Sequence, residues 1–260
     1  MDWIARLVEE VDDHLLGFVS WHRYGDWRPA VTSRSLGLEM WGAPDAPLGP
    51  TLEALLMAQL PEFEARARGV ARLLKGRDIL NICGELNTIS HHENYYTLGL
   101  NQNIFGAAFY ISALINLIRG GADAEMRWTA TAHGDDAYGL LSMRGEPTPT
   151  ALAKQIFAQH VRFGDLVRCP PAPRDHPEID AIMAESADGR LSAVFVNTSR
   201  GPVVLDVAEW GGALASCNGI LHLDAGTGGR VLRAPFDGTL RPDGYGLAIV
   251  SNRAAATTID

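Results

Sequence analysis

Leu15 to Trp27 reads LLGFVSWHRYGDW, an apolar run that ends in a Trp-His-Arg-Tyr cluster. Its reading decides the fold, because the same design recurs twice: Asp78 to Gly84 (DILNICG) runs into Glu85-Leu86-Asn87, and Glu125 to Thr131 (EMRWTAT) carries Trp128 and leads to His133, Asp135 and Asp136. Short apolar runs of this kind predict buried strands over Leu15–Trp21, Asp78–Gly84 and Glu125–Thr131. Between them lie helical patterns. Ile4, Leu7, Val8 and Val11 mark a helix from Trp3 to about Asp13; Phe63, Ala67, Val70 and Leu74 mark one that Pro61 starts. Asn103 to Arg119 has apolar residues on most sides and stops at Gly120-Gly121, and after the turn GEPTP (Gly145–Pro149) a further helix runs from about Thr150 to Val161. Strands alternating with helices predict β/α units and a parallel sheet.

Past the link CPPAP (Cys169–Pro173) the period becomes two. Ile179–Glu185, Leu191–Asn197, Val203–Val207, Ile220–Leu223 and Leu247–Val250 are separated by turns such as Asp188-Gly189 and Asp243-Gly244. That spacing predicts an antiparallel β-sandwich. The chain is accordingly divided into residues 1–165 and 166–260.

Composition narrows the function. With 260 residues, 47% of them apolar, the chain can bury a real core. The net charge is 22 − 31 = −9 and no basic run occurs, which argues against nucleic acid and anionic membrane as partners. No apolar stretch approaches the ~20 residues that cross a bilayer. Met1 opens into an amphipathic segment without a signal-peptide pattern, so the localisation expected by default is cytoplasmic. Cys83, Cys169 and Cys217 are far apart and lack C-x-x-C spacing, and neither a zinc site nor a disulfide framework is expected.

In a parallel α/β barrel the reactive groups sit where strands end. Each strand here ends in polar or aromatic residues suited to a sugar: His22 and Tyr24, Glu85 and Asn87, Trp128 and Asp135. A carboxylate just beyond an apolar strand needs solvent or partners, so Glu85 is either a reactive group, a solvated loop residue or half of an ion pair. His22 and Tyr24 read equally as polar caps, Trp128 as core packing, and Asp135 and Asp136 as solvated acids. His91-His92-Glu93-Asn94-Tyr95-Tyr96 lacks H-E-x-x-H spacing, and it reads as a substrate-facing loop before a metal cluster. Asn197-Thr198-Ser199 fits a glycosylation sequon, a tripeptide common by chance.

Taken in order, LLGFVSWHRYGDW, ILNICGELN, EMRWTATAHGDD and GEPTPTALAKQIF resemble the second half of the retaining β/α-barrel glycosidases of the clan (clan A) that includes the β-xylosidase and α-L-iduronidase family. There the sixth strand ends in a pattern like "sfHxY", the seventh in "tEwn" or "GE", and the eighth in Trp with an acidic loop. A Gly-x-Pro-x-Pro turn, a last helix and a β-sandwich follow. The resemblance covers about Asp2 to Asp165. It implies a partial (β/α)8 TIM-type barrel of the last three or so β/α units, followed by the sandwich. It also implies that Glu85 is the nucleophile of a retaining glycoside hydrolase, with His22, Tyr24, Asn87, Tyr95, Trp128 and Asp135 binding an oligosaccharide, polysaccharide or glycoside, and no cofactor or metal.

The family's acid/base glutamate follows an asparagine at the end of the fourth strand, and no such pair precedes Leu15. Three strands would also leave edges and apolar faces uncovered. The expectation is therefore a fragment, inactive alone, that needs an N-terminal barrel half or self-associates. A noncatalytic carbohydrate-binding or scaffold protein derived from such an enzyme is the alternative.

Overall fold

The computed structural model describes residues 2–25, 50–89, 100, 103–131, 138–142, 144–210 and 212–252. It falls into two compact units, one of Met1–Asn101 with Ala113–Gly139 and the other of Gln102–Ser112 with Leu140–Asp260.

The first unit contains α1 (Asp2–Glu10), a 3-10 turn (Asp13–Leu15), β1 (Phe18–Gly25), α2 (Pro50–Met57), α3 (Leu60–Leu73), β2 (Leu80–Ile89) and β3 (Ala124–Arg127). The long helix α4 (Ile104–Gly120) is shared between the units. The strands pair in parallel in the order β1-β2-β3. Mixed helices and a parallel sheet are as the sequence reads; the strand limits are not. The first strand starts at Phe18 rather than Leu15, because Asp13–Leu15 forms a turn that leaves Leu15 in solvent. It runs on to Gly25, and β2 runs on to Ile89, so His22, Tyr24, Glu85 and Asn87 lie within paired strands rather than beyond them. The third strand is shorter than predicted, ending at Arg127.

Period two sorts β1 by face. Val19 and Trp21 are buried on the helix side, where Arg23 pairs with Glu62 of α3 and lies over the Phe63 ring. Asn81 ties this side together: its Oδ1 accepts from Trp21 Nε1 (2.8 Å), and its Nδ2 donates to the carbonyls of Ala67 and Gly121 (both 3.0 Å). Both amide hydrogens and the amide oxygen thus have partners, which is what makes a buried amide tolerable. Gly120, the last residue of α4, leaves no room for a side chain, because a Cβ there would meet the Glu64 carbonyl at 2.6 Å.

The second unit carries α5 (Pro149–His160), capped by Thr148, whose hydroxyl accepts from Ala151 N at 3.3 Å. The remaining strands are β4 (Leu166–Arg168), β5 (Ile179–Glu185), β6 (Leu191–Asn197), β7 (Leu205–Asp206), β8 (Gly219–Leu223), β9 (Leu232–Pro235), β10 (Thr239–Leu240) and β11 (Leu247–Ser251). Six form one antiparallel sheet in the order β4-β5-β6-β11-β8-β9, and among the described residues β7 pairs with β10 alone. One face of the large sheet, with Ala181, Phe195, Ile220 and Val250, buries Val203, Leu205, Leu214 and Leu240 of the β7–β10 ribbon and its neighbouring turns. Helix α5 packs on β6 and β11. In place of two comparable sheets, the six-stranded sheet therefore has a two-stranded ribbon as its partner. Val203–Val207, predicted as a full strand, contributes only Leu205 and Asp206 to it.

His160 of α5 is buried. Ser251 Oγ donates to the Leu191 carbonyl (3.0 Å) and Ser192 Oγ to Ser251 Oγ (3.3 Å), so Ser192 can only accept from His160 Nδ1 (3.1 Å). The chain of hydroxyls thus puts the imidazole proton on Nδ1. Burial, with Arg190, Arg162 and Arg233 adding to it, lowers the His160 pKa to about 4. The sequon does not survive folding. Asn197 is fully buried, its amide donating to the carbonyls of Gly201 (2.7 Å) and Asp243 (3.0 Å).

Candidate active site

The register of β1 on β2 first breaks between Trp21, which lies opposite Cys83, and His22, which lies opposite Glu85; it shifts again between Tyr24 and Gly25. Gly84 is therefore an extra residue in β2. Without it, Glu85 would share the helix-facing side of Cys83, two residues away. With it, Glu85 turns to the face of Phe18, Ser20, His22 and Tyr24, which is how a bulge re-aims a side chain. Glycine suits the position because β1 runs close by; a Cβ on Gly84 would stand 2.0 Å from Ser20 Oγ.

On that face a phenol and an imidazole converge on one carboxylate oxygen. Tyr24 Oη donates to Glu85 Oε2 at 2.6 Å, and His22 Nδ1 lies 3.3 Å from the same atom. Glu85 Oε1 has no partner among the described residues. The Glu85 side chain keeps 26% of its exposure and His22 keeps 55%, so both can be reached from solvent. Burial, then the hydrogen bond and negative charge of Glu85, drive the Tyr24 pKa far above the ordinary tyrosine value, and Tyr24 stays a neutral donor. Behind the bulge, burial first and Glu125 second push the Cys83 thiol up to about 12, which keeps it protonated and unreactive.

Asn87, opposite Tyr24, is fully buried. Its Nδ2 donates to the Trp128 carbonyl (2.6 Å) and its Oδ1 accepts from Thr88 N (2.8 Å). It holds the end of β3 to β2 rather than offering its amide to a ligand. Trp128, just past β3, is half exposed. Sequence reasoning missed Tyr138. Its carbonyl accepts from Thr129 N at 3.4 Å, and its phenol is near enough to Tyr24 to oppose ionisation there; it stands outside every motif, so no sequence signal marked it. Tyr95 and Asp135, with His91, His92 and Asp136, lie outside the described residues.

Asp123 is engaged elsewhere, accepting from Asn81 N at 2.7 Å, and Glu125 lies opposite Cys83. Glu85 is thus the only carboxylate that the described part of this sheet delivers to the site.

Among solved structures the chain is similar to the GH51 arabinofuranosidase from Xanthomonas axonopodis pv. citri, with a TM-score of 0.64 at 8% identity over 96% of this chain and 55% of that one. The likeness is one of fold, which is similar to that of the clan A glycosidases. A second arabinofuranosidase structure matches with a TM-score of 0.54 at 13% identity over 96% of this chain and 55% of that one. A monomeric β-xylosidase from Caulobacter crescentus CB15 matches with 0.52 at 13% identity over 96% and 58%. The chain therefore spans little more than half the length of the structures it resembles. No protein-family model and no curated protein matches the sequence.

Proposed function

We propose that this chain belongs to a retaining O-glycosidase in which Glu85 is the nucleophile. The observation that carries the reading is the asymmetric hold on its carboxylate: Tyr24 donates to Oε2, His22 Nδ1 lies against the same atom, and Oε1 is left to react. Oε1 attacks the anomeric carbon as the bond to the leaving oxygen breaks, and that oxygen takes a proton from a general acid. Water then cleaves the glycosyl ester and restores Glu85. Tyr24 and His22 keep the carboxylate charged and oriented, Trp128 gives the sugar ring an aromatic floor, and Tyr95 and Asp135 contact its hydroxyls.

Retaining hydrolysis uses two carboxyl groups about 5–5.5 Å apart. In this reading the acid/base group comes from barrel strands beyond β1–β3, and residues 1–165 are the C-terminal part of the barrel domain, with residues 166–260 forming an appended β-domain. The substrate is a glycoside, pentosides being the first to try because the similar structures include arabinofuranosidases and a β-xylosidase. Noncatalytic carbohydrate binding is the second reading, favoured by the single carboxylate that the described part of the sheet delivers to the site.

Activated 2-deoxy-2-fluoro glycosides separate the two readings. Their dinitrophenolate leaving group departs without protonation, so a working nucleophile is trapped even without the acid. We expect the xyloside or arabinofuranoside to add one glycosyl mass to the peptide containing Glu85, and Glu85→Gln to abolish it. Labelling at another residue, or sugar binding with no label, would overturn the nucleophile.

A further inference from the structure

We propose that the second unit holds a binding site of its own, for a small organic acid that carries an apolar body and a hydroxyl group, in a cavity between the C-terminal end of α5 and strands β8 and β9. The cavity measures about 410 Å³, a size usual for small-molecule sites. It lies within the second unit throughout, and the inference makes no use of Glu85.

Strand register builds the floor. Leu221 of β8 lies opposite Arg233 of β9 and Ile249 of β11, and Gly219 lies opposite Pro235 and Ser251. Residues directly opposite share a face, so these six stand on one side of the sheet, while Ile220 and Val250 go to the core beneath the β7–β10 ribbon. Helix α5 packs on β6 and β11 and reaches the cavity with its last residue, His160. Gly219 keeps the floor low: a Cβ there would meet nothing within 4 Å. A glycine in a strand weakens it, and such positions often let a ligand approach the backbone.

Hydrogen bonding and charge choose the occupant. His160 gives its Nδ1 proton to Ser192, so Nε2 is left as an acceptor; that atom is buried and has no partner among the described residues. Ser192 is not one of the cavity's walls, so the ring borders the cavity with the side that carries Nε2. A buried acceptor without a donor is costly, and a ligand hydroxyl supplies the donor. Arg190, Arg162 and Arg233 all make protonation of this imidazole harder, so the potential here is positive and a carboxylate is its complement. Arg233 lines the cavity at its exposed mouth, with Asn218 and Pro235, whereas His160 is buried. The acid end therefore stays near water beside Arg233 and the hydroxyl reaches inward to His160. Between them the buried aliphatic side chains of Leu221 and Ile249 take the apolar body.

Titration of the full chain with para-hydroxybenzoate, followed by calorimetry and by nitrogen NMR of the histidine rings, tests this. We expect saturable one-to-one binding and a shift of the His160 Nε2 resonance as it gains a donor. Benzoate, which lacks the hydroxyl, and para-hydroxybenzyl alcohol, which lacks the charge, should each bind about tenfold or more weakly. Arg233→Gln should weaken para-hydroxybenzoate by a similar factor and leave the alcohol unchanged. Gly219→Val puts an isopropyl group into the cavity, on a strand that suits valine. It should abolish binding of every probe with Tm unchanged or raised. No saturable binding, equal affinity for the three probes, an Nε2 resonance that does not move because another part of the chain fills the cavity, or binding that survives Gly219→Val would overturn the proposal.

Discussion

Gly84 is the residue on which the site turns, since one extra position in β2 exchanges the two faces for Glu85 to Asn87, up to the next register shift. Gly84→Ala forces Ser20 out of its rotamer, and we expect a loss of about 1 kcal/mol in urea unfolding, recovered in the double variant with Ser20→Ala; an equal loss with and without Ser20 would show that the contact is not the cause. Tyr24 is the next test. A hydrogen bond to a charged group contributes about 1.5–3 kcal/mol, so Tyr24→Phe should slow labelling of Glu85 roughly 10- to 100-fold. With its folded pKa raised, Tyr24 keeps its proton where the unfolded chain loses it, and stability present below about pH 10 falls as pH rises above that value. Alkaline titration at 295 nm should therefore leave Tyr24 un-ionised until the protein unfolds, and the Tyr24→Phe variant should lose one tyrosine from that late step.

Among the elements, helices were the most legible, since Phe63, Ala67 and Val70 repeat at helical spacing and are the residues α3 buries. Strand ends were less so. His22, Tyr24 and Glu85 look like loop residues because they are polar, yet they belong to ladders whose inner face is polar at that height. β4, β9 and β10 have two to four residues each, too few for a period to show. Helix α5 and its sheet are joined through His160, held neutral in the fold. A lowered folded pKa means that the unfolded chain binds the proton first, so stability falls as pH drops from about 6.5 toward 4. The loss should reach about 3 kcal/mol, and His160→Asn, which retains a donor for Ser192, should flatten the slope of Tm against pH. Parallel slopes for the two proteins would rule His160 out as the cause.

For the whole molecule, the open face of the parallel sheet matters most. Parallel sheets are normally covered on both sides, yet Phe18, Leu80, Met126 and Trp128 are each about half exposed. We expect the native protein to enhance anilinonaphthalene sulfonate fluorescence, and Leu80→Ser with Met126→Ser to reduce it; no enhancement in the wild type would mean that this face is covered in solution. The amino-acid order alone determined the alternation of helices and strands, the change to an antiparallel second half, and which polar residues terminate apolar runs, because these depend on neighbours a few positions apart. Only the tertiary structure decided that Glu85 shares a face with Tyr24 and His22, that Asn87 and Asn197 are consumed by internal bonds, and that Tyr138 comes near the site. Those outcomes depend on strand register and on contacts between distant segments, and a one-residue shift in pairing, invisible in composition or period, reverses them.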